Sequence, residues 1–137
     1  IGEYRKPFHL ESARTITEKR ADDDDPSTEA TIVVEVDGVK EHMVASGNGP
    51  VNAMDQALRK ALERFYPNLK EVKLKDYRVR VLSTKQGTDA VVRVLIESGD
   101  GESDWSTVGV SENIVEASWK ALIDSIDYKI LKDEAKK

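Results

Sequence analysis

Between Thr31 and Leu62 the chain reads TIVVEVDGVKEHMVASGNGPVNAMDQALRKAL. Thr31 to Val36 puts Ile32, Val34 and Val36 on one face, the period-two pattern of a half-buried strand. Asp37-Gly38 is a strong signal for a tight hairpin turn. It leads into a returning strand from Val39 to Ser46, which Gly47-Asn48-Gly49-Pro50 breaks. Val51, Met54, Leu58, Leu62 and Phe65 then recur at helical spacing, and Pro67 is expected to end that helix because its ring cannot continue the hydrogen-bond ladder. Upstream, Phe8 to Arg20 alternates loosely as a first strand. Phe8, Leu10 and Ile16 are predicted on one side, with His9, Glu11, Thr15 and Thr17 on the other.

The same order starts again downstream. Lys73 to Ser83 alternates through Val79 and Val81, a turn falls around Gln86-Gly87, and Val91 to Ser98 lines up Val92, Val94 and Ile96. Gly99-Asp100-Gly101 turns the chain into Ser103 to Val110, and a last helix is predicted from about Asn113 to Leu131. A shift of 64 places Val51-Asn52-Ala53 over Val115-Glu116-Ala117, Ala57-Leu58 over Ala121-Leu122, Gly47 over Ser111 and Gly49 over Asn113. Asp37-Gly38 falls one residue short of Asp100-Gly101 at that shift, as a small loop insertion would produce.

The expected class is therefore α+β: two βββα repeat units, about 7–68 and 72–132, forming one domain over 1–137, with antiparallel sheets packed on helices. Half-domains of about 65 residues have marginal cores alone, so the units are expected to pack together. The second helix carries Ile114, Val115, Ala117, Trp119, Ala121, Leu122, Ile123, Ile126 and Ile130, an apolar arc wider than one sheet covers. That predicts burial on two sides and a homodimer with the helices sandwiched between sheets. The alternative is a monomer with the helices packed internally. Arg78, Arg80, Arg93 and Glu97 suit a solvated sheet face.

Composition narrows the function. The 137 residues leave no room for a large catalytic barrel beside a second domain. There is no cysteine, hence no disulfide, thiolate metal site or cysteine nucleophile, and a reducing, cytoplasmic location is expected. No apolar run approaches the roughly 20 residues of a membrane span. The first residue is Ile rather than Met, which suggests a fragment or a processed chain.

The net charge of -5 argues against nucleic-acid binding. Much of the acid is local, in Asp22 to Asp25 followed by Pro26, Ser27 and Thr28. Carboxylates there could hold a hard cation, but the spacing and glycine of a calcium loop are missing, and a solvated loop is the simpler reading. Lys70, Lys73, Lys75, Arg78 and Arg80 read as a polar strand face.

A catalytic constellation is not found. His9 and His42 have no partner spacing, Ser111-Glu112-Asn113 reads as a helix cap, and Asp104, Trp105 and Trp119 read as packing rather than a ligand cage. Gly47-Asn48-Gly49-Pro50 is too short for a phosphate loop. It does set free backbone N–H groups beside the positive end of a helix, an arrangement that favours a carboxylate. Gly47 and Gly49 permit positive φ and close approach, Pro50 suits the first turn, and Ala53 leaves space. A tight connection without ligand is the alternative.

Three stretches then carry a resemblance: Gly47-Asn48-Gly49-Pro50-Val51-Asn52-Ala53-Met54-Asp55 with Ala57 to Leu62; Asp76-Tyr77-Arg78-Val79; and Trp105 through Ser118. Together they resemble the carboxy-terminal regulatory domain shared by 2-isopropylmalate synthase and citramalate synthase, over nearly the whole chain. Asn52 and the Glu112-Asn113-Ile114 helix start look more like the citramalate enzymes.

The resemblance implies a homodimeric βββα-repeat domain that binds a branched-chain amino acid as feedback inhibitor of its own amino-terminal TIM-barrel domain. That barrel would condense acetyl-CoA with a 2-oxo acid using a divalent metal, and none of it lies in this chain. No cofactor is expected here, no nucleic acid or membrane partner, and no synthase activity from this portion alone. For citramalate synthase the 2-oxo acid would be pyruvate and the effector isoleucine; for isopropylmalate synthase, 2-oxoisovalerate and leucine.

Carried onto matching positions, the effector site falls on Gly47, Asn48, Gly49, Pro50 and Ala53, and in the second unit on Tyr77, Val81, Thr88, Ala90 and Val110, with the pocket expected where the units meet. Backbone N–H groups would hold the effector carboxylate, a strand carbonyl or hydroxyl its ammonium, and Val81, Ala90 and Val110 its side chain. The remaining reading, from a different class, is a dimerisation module without ligand.

Overall fold

A computed structural model describes residues 6–19, 21–22, 27–82 and 90–136. The strands are β1 (His9–Glu18), β2 (Ser27–Val36), β3 (Val39–Gly47), β4 (Lys73–Leu82), β5 (Val91–Gly99) and β6 (Asp104–Ser111). The helices are α1 (Pro50–Leu62) and α2 (Ile114–Glu134), with a short 3-10 turn at Pro67–Glu71. The chain divides into two compact units, Ile1–Pro67 and Asn68–Lys137. Each is an antiparallel three-stranded sheet, in the orders β1-β2-β3 and β4-β5-β6, covered on one face by its own helix. The predicted α+β class and the two βββα units are what the chain forms. Asp23 to Pro26 and the predicted Gln86-Gly87 turn lie outside the described residues.

In the first unit Ala30, Ile32 and Val34 of β2 are fully buried under Ala53, Met54, Ala57, Leu58, Ala61 and Leu62 of α1. Asp37 and Gly38 take φ 50° and 84°, the conformation of the expected tight turn. In the second unit Val94 and Ile96 of β5 are buried on the α2 side. Trp105 Nε1 donates to Ser125 O at 3.2 Å, and Thr107 Oγ1 to Ala121 O at 2.7 Å. Both tryptophans pack, as expected, with Trp105 and Trp119 each buried. Trp119, Ile126 and Ile130 of α2 are buried as well.

The repeat is stricter in three dimensions than in sequence. Ladder register coincides at the same shift: Thr28 faces Gly47 as Val92 faces Ser111, and His9 faces Glu35 as Lys73 faces Gly99. Both first strands carry a bulge at the same place, between Leu10 and Ser12 and between Leu74 and Asp76. Each bulged residue makes an ion pair with the start of the third strand, with signs exchanged: Glu11 with Lys40 at 3.1 Å, Lys75 with Asp104 at 2.8 Å.

The coincident register also removes the expected loop insertion. The hairpins are equally long, but the second opens one rung earlier: Asp100 to Ser103 closes through Asp100 N donating to Ser103 O at 3.1 Å, and the positive φ falls on Gly101.

Other predictions are corrected. One inserted residue moves all later side chains to the opposite face of a strand. Ile16 therefore faces Glu29 on the open side and is exposed, not aligned with Phe8 and Leu10, while Ala13, Thr15 and Thr17 point to the helix side. Helix α1 stops at Leu62, where the N–H groups of Phe65 and Tyr66 both turn back to Leu62 O, so Phe65 lies beyond it. Lys70 belongs to the 3-10 turn rather than a strand, and α2 runs on past Leu131 to Glu134.

The expected solvated faces are present: His9 and His42 are exposed on the open side of the first sheet, and Arg78, Arg80, Arg93 and Glu97 stand on the open side of the second. Among the described residues no helix is long and apolar enough to cross a membrane.

An ion network that sequence reading missed ties the second unit together. Lys129, only 3% exposed, donates to Asp100 Oδ2 at 2.7 Å and pairs with Asp133 at 2.8 Å and Glu71 at 3.3 Å. Lys132 reaches the same Asp100 oxygen at 2.6 Å, while the N–H groups of Glu102 and Ser103 donate to Asp100 Oδ1 at 3.0 and 2.9 Å. Burial pushes the Asp100 carboxyl up, but these hydrogen bonds overcome it and hold the group well below the usual carboxylate range. Burial pulls the Lys129 ammonium down, and its carboxylate partners more than reverse that, holding it above the usual lysine value.

Candidate functional site

The Gly47–Ala53 stretch joins β3 to α1. Gly47 is required by a close approach: a Cβ there would run into Asn52 Oδ1 and lie 2.6 Å from Ala53 N. Gly49 precedes the helix with φ -173° and ψ 175°, extended backbone open to any residue, and a Cβ on it would meet no heavy atom within 4 Å. Neither glycine uses the positive φ it permits; among the described residues those values fall on Asp37, Gly38 and Gly101. Pro50 occupies the first helical turn, where its missing N–H costs nothing. Ala53 N donates to Gly49 O at 3.0 Å, and Asn48 N to Asn52 Oδ1 at 3.4 Å. Ala53 itself is fully buried. Asp55 makes a 3.0 Å pair with Arg59; burial pushes its carboxyl up against the pull of that guanidinium, and burial wins.

The two helix starts differ at equivalent positions. Asn113, at the place of Gly49, caps α2 as expected: its side chain accepts from Val115 N at 2.8 Å and Glu116 N at 3.2 Å, and Glu116 adds an acid to the first turn. Ser111 Oγ accepts from Asn113 N at 3.1 Å. Helix α1 has no side-chain cap and no acid in its first turn. Its N-terminal N–H groups and dipole are therefore left uncompensated by side chains, while those of α2 are satisfied from within. Replacing Asn113 by Ala is expected to lower stability by about 1 kcal/mol, read as a fall in thermal midpoint.

In the second unit, Tyr77 and Val81 of β4 face the helix side, opposite Ile96 and Val92, with Val81 64% exposed. Val110 of β6 faces Arg93 on the open side. The sheet thus brings Tyr77 and Val81 to one face and Val110 to the other, a separation visible only once both ladders are in register. Ala90 is exposed just before β5, and Thr88 lies outside the described residues. Asn52, which braces the turn, was not among the anticipated site residues; its place three residues after the cap is the available signal. Among the described residues no group of three or more His, Asp or Glu side chains could hold a metal.

A family model described as LeuA allosteric (dimerisation) domain matches residues 1–130. The chain belongs to that family. An (R)-citramalate synthase of Geobacter sulfurreducens is 63% identical over 134 residues, and one of Aquifex aeolicus 58% over 134; each alignment covers 98% of this chain and 25% of the relative. A 2-isopropylmalate synthase of Aquifex aeolicus is 35% identical over 105 residues, 77% of this chain and 19% of the relative. This LeuA-type domain thus spans about a quarter of the length of the citramalate synthases it matches.

Proposed function

We propose that the chain is the effector-binding regulatory portion of a homodimeric (R)-citramalate synthase, the enzyme that joins acetyl-CoA to pyruvate, and that isoleucine is its feedback inhibitor. The relatives support the citramalate assignment, since identities of 63% and 58% stand against 35% for a 2-isopropylmalate synthase. The observation that carries effector binding is the contrast between helix starts: α1, led by Gly47, Asn48, Gly49 and Pro50, presents an uncapped positive terminus where α2 is capped by Asn113. The effector carboxylate belongs at that helix start. The metal and acetyl-CoA of the synthase reaction belong to the catalytic part, in the cytoplasm.

Calorimetric titration with isoleucine and with leucine tests the reading. Isoleucine is expected to bind more tightly than leucine, by about 1–3 kcal/mol if the pocket reads only a branch position. At a hundred times its dissociation constant it should add about 2.7 kcal/mol of stability. Gly49→Val fits the extended backbone and the open space, so the fold should persist while the response disappears. No heat and no thermal shift with either amino acid, together with a stable dimer in analytical ultracentrifugation, would leave a dimerisation module. Tighter leucine binding would make the parent a 2-isopropylmalate synthase type.

A further inference from the structure

We infer that the open face of the second unit's sheet, centred on Arg80 and Arg93, docks a carboxylate-bearing patch on the remainder of the longer synthase, an inference that rests on the regulatory reading above. Arg80 and Arg93 stand directly opposite each other on that face. Like charges so placed repel. Among the described residues no ion pair or hydrogen bond relieves either one. Asp76 on the same face is engaged by Arg78 at 2.7 Å, and Glu97 stands at the far end opposite Asp76. Beside the arginines, Val110 faces Arg93 and Val108 faces Leu95, and these valines are 43% and 44% exposed.

The fold does not require this arrangement. At the equivalent rungs of the first unit Ile16 faces Glu29, Glu29 faces Ser46 and Thr31 faces Val44, giving a face on which Arg14, Lys40, Glu29 and Glu35 mix both signs. The two sheets share register, bulge and hairpin length, so their open faces differ by composition alone. Unmatched guanidiniums flanked by exposed valines match an interface whose counterpart supplies carboxylates and apolar side chains, because guanidinium recognises carboxylate through a planar fork and sheds water readily. The net charge of -5 disfavours nucleic acid as the occupant. Most of the length of the matched synthases lies outside this chain, and an effector signal needs a surface on which the two parts meet.

The test uses the full-length synthase. Arginine modification by phenylglyoxal, read by mass spectrometry, should be about tenfold slower at Arg80 and Arg93 than at Arg14, the exposed arginine on the corresponding face of the first unit. Equal rates overturn the inference, and so does protection that appears only as protein concentration rises, since a second copy would then be the occupant. R80E/R93E should raise the isoleucine concentration for half-inhibition by about tenfold or abolish inhibition, while calorimetric isoleucine affinity stays within about twofold of the original. Unchanged inhibition overturns the docking face alone. A parent enzyme that binds no branched-chain amino acid overturns the regulatory reading instead, and slow labelling of Arg80 and Arg93 would then still support the docking face.

Discussion

Asp100→Asn is expected to destabilise the protein by about 3 kcal/mol, a large share of a total near 5–15 kcal/mol. The substitution keeps the shape and the acceptor for the Glu102 and Ser103 N–H groups, but removes the charge lying 2.7 Å from Lys129 and 2.6 Å from Lys132. Two ammonium groups then share a buried site. Asp133 and Glu71 still pair with Lys129, which keeps the cost at the lower end for a broken buried pair. Lys129→Met should cost less, because Asp100 retains Lys132 and two backbone donors while the apolar side chain fills the space. Urea denaturation of both variants decides the order, and a larger loss for Lys129→Met would refute the argument.

The same network sets the pH window. The Asp100 carboxyl is depressed in the fold, so its contribution is present above the ordinary value of 3.8 and is lost as pH falls toward its folded value. Asp133 is shifted the same way, chiefly by its hydrogen bond from Lys129. Lys129 is raised, so its contribution is present below 10.5 and is lost as pH climbs above that. From this cluster stability should be flat between about pH 4 and 10 and fall on both sides. Asp100→Asn should flatten the acid limb.

Gly109→Val is expected to cost about 3 kcal/mol or more, with loss of near-ultraviolet dichroism from Trp105 and Trp119. A side chain at Gly109 would run into the Ala117 carbonyl oxygen and lie 2.9 Å from Ala117 C and 3.0 Å from Ala121 N. These are backbone atoms of α2, so the helix must lift off β6 rather than a rotamer adjusting. The equivalent position in the first unit is Ala45, whose Cβ is accommodated under α1. Ala45→Gly should therefore cost only about 0.5–1 kcal/mol. A mild effect of Gly109→Val would mean that α2 does not sit this close to its sheet.

Much of the fold was legible in the sequence because its signals are local. Ile32, Val34 and Val36 announce a strand by alternation, Asp37-Gly38 a tight turn, and Val51, Met54, Leu58 and Leu62 a helix, and each signal involves residues within a few positions of one another. The Gly47–Pro50 helix start was legible for the same reason. Its backbone angles were not, since Gly47 answers to a close approach by Asn52 and Gly49 is simply extended. The candidate residues of the second unit were least legible: whether Val81 and Val110 share a face depends on two ladder registers that no local pattern encodes.

By itself the sequence determined the βββα order, its duplication at a shift of 64, the hairpin turn of the first unit and the capping of α2 by Asn113. Only the tertiary structure decided that a bulge turns Ile16 outward, that Gly109 must lack a side chain, and that Lys129 is buried among acids as far as 58 residues away along the chain. Periodicity and turn chemistry act between neighbours in sequence. Strand parity after a bulge, helix-to-sheet distance and the pairing of a buried charge come into being only when distant segments meet.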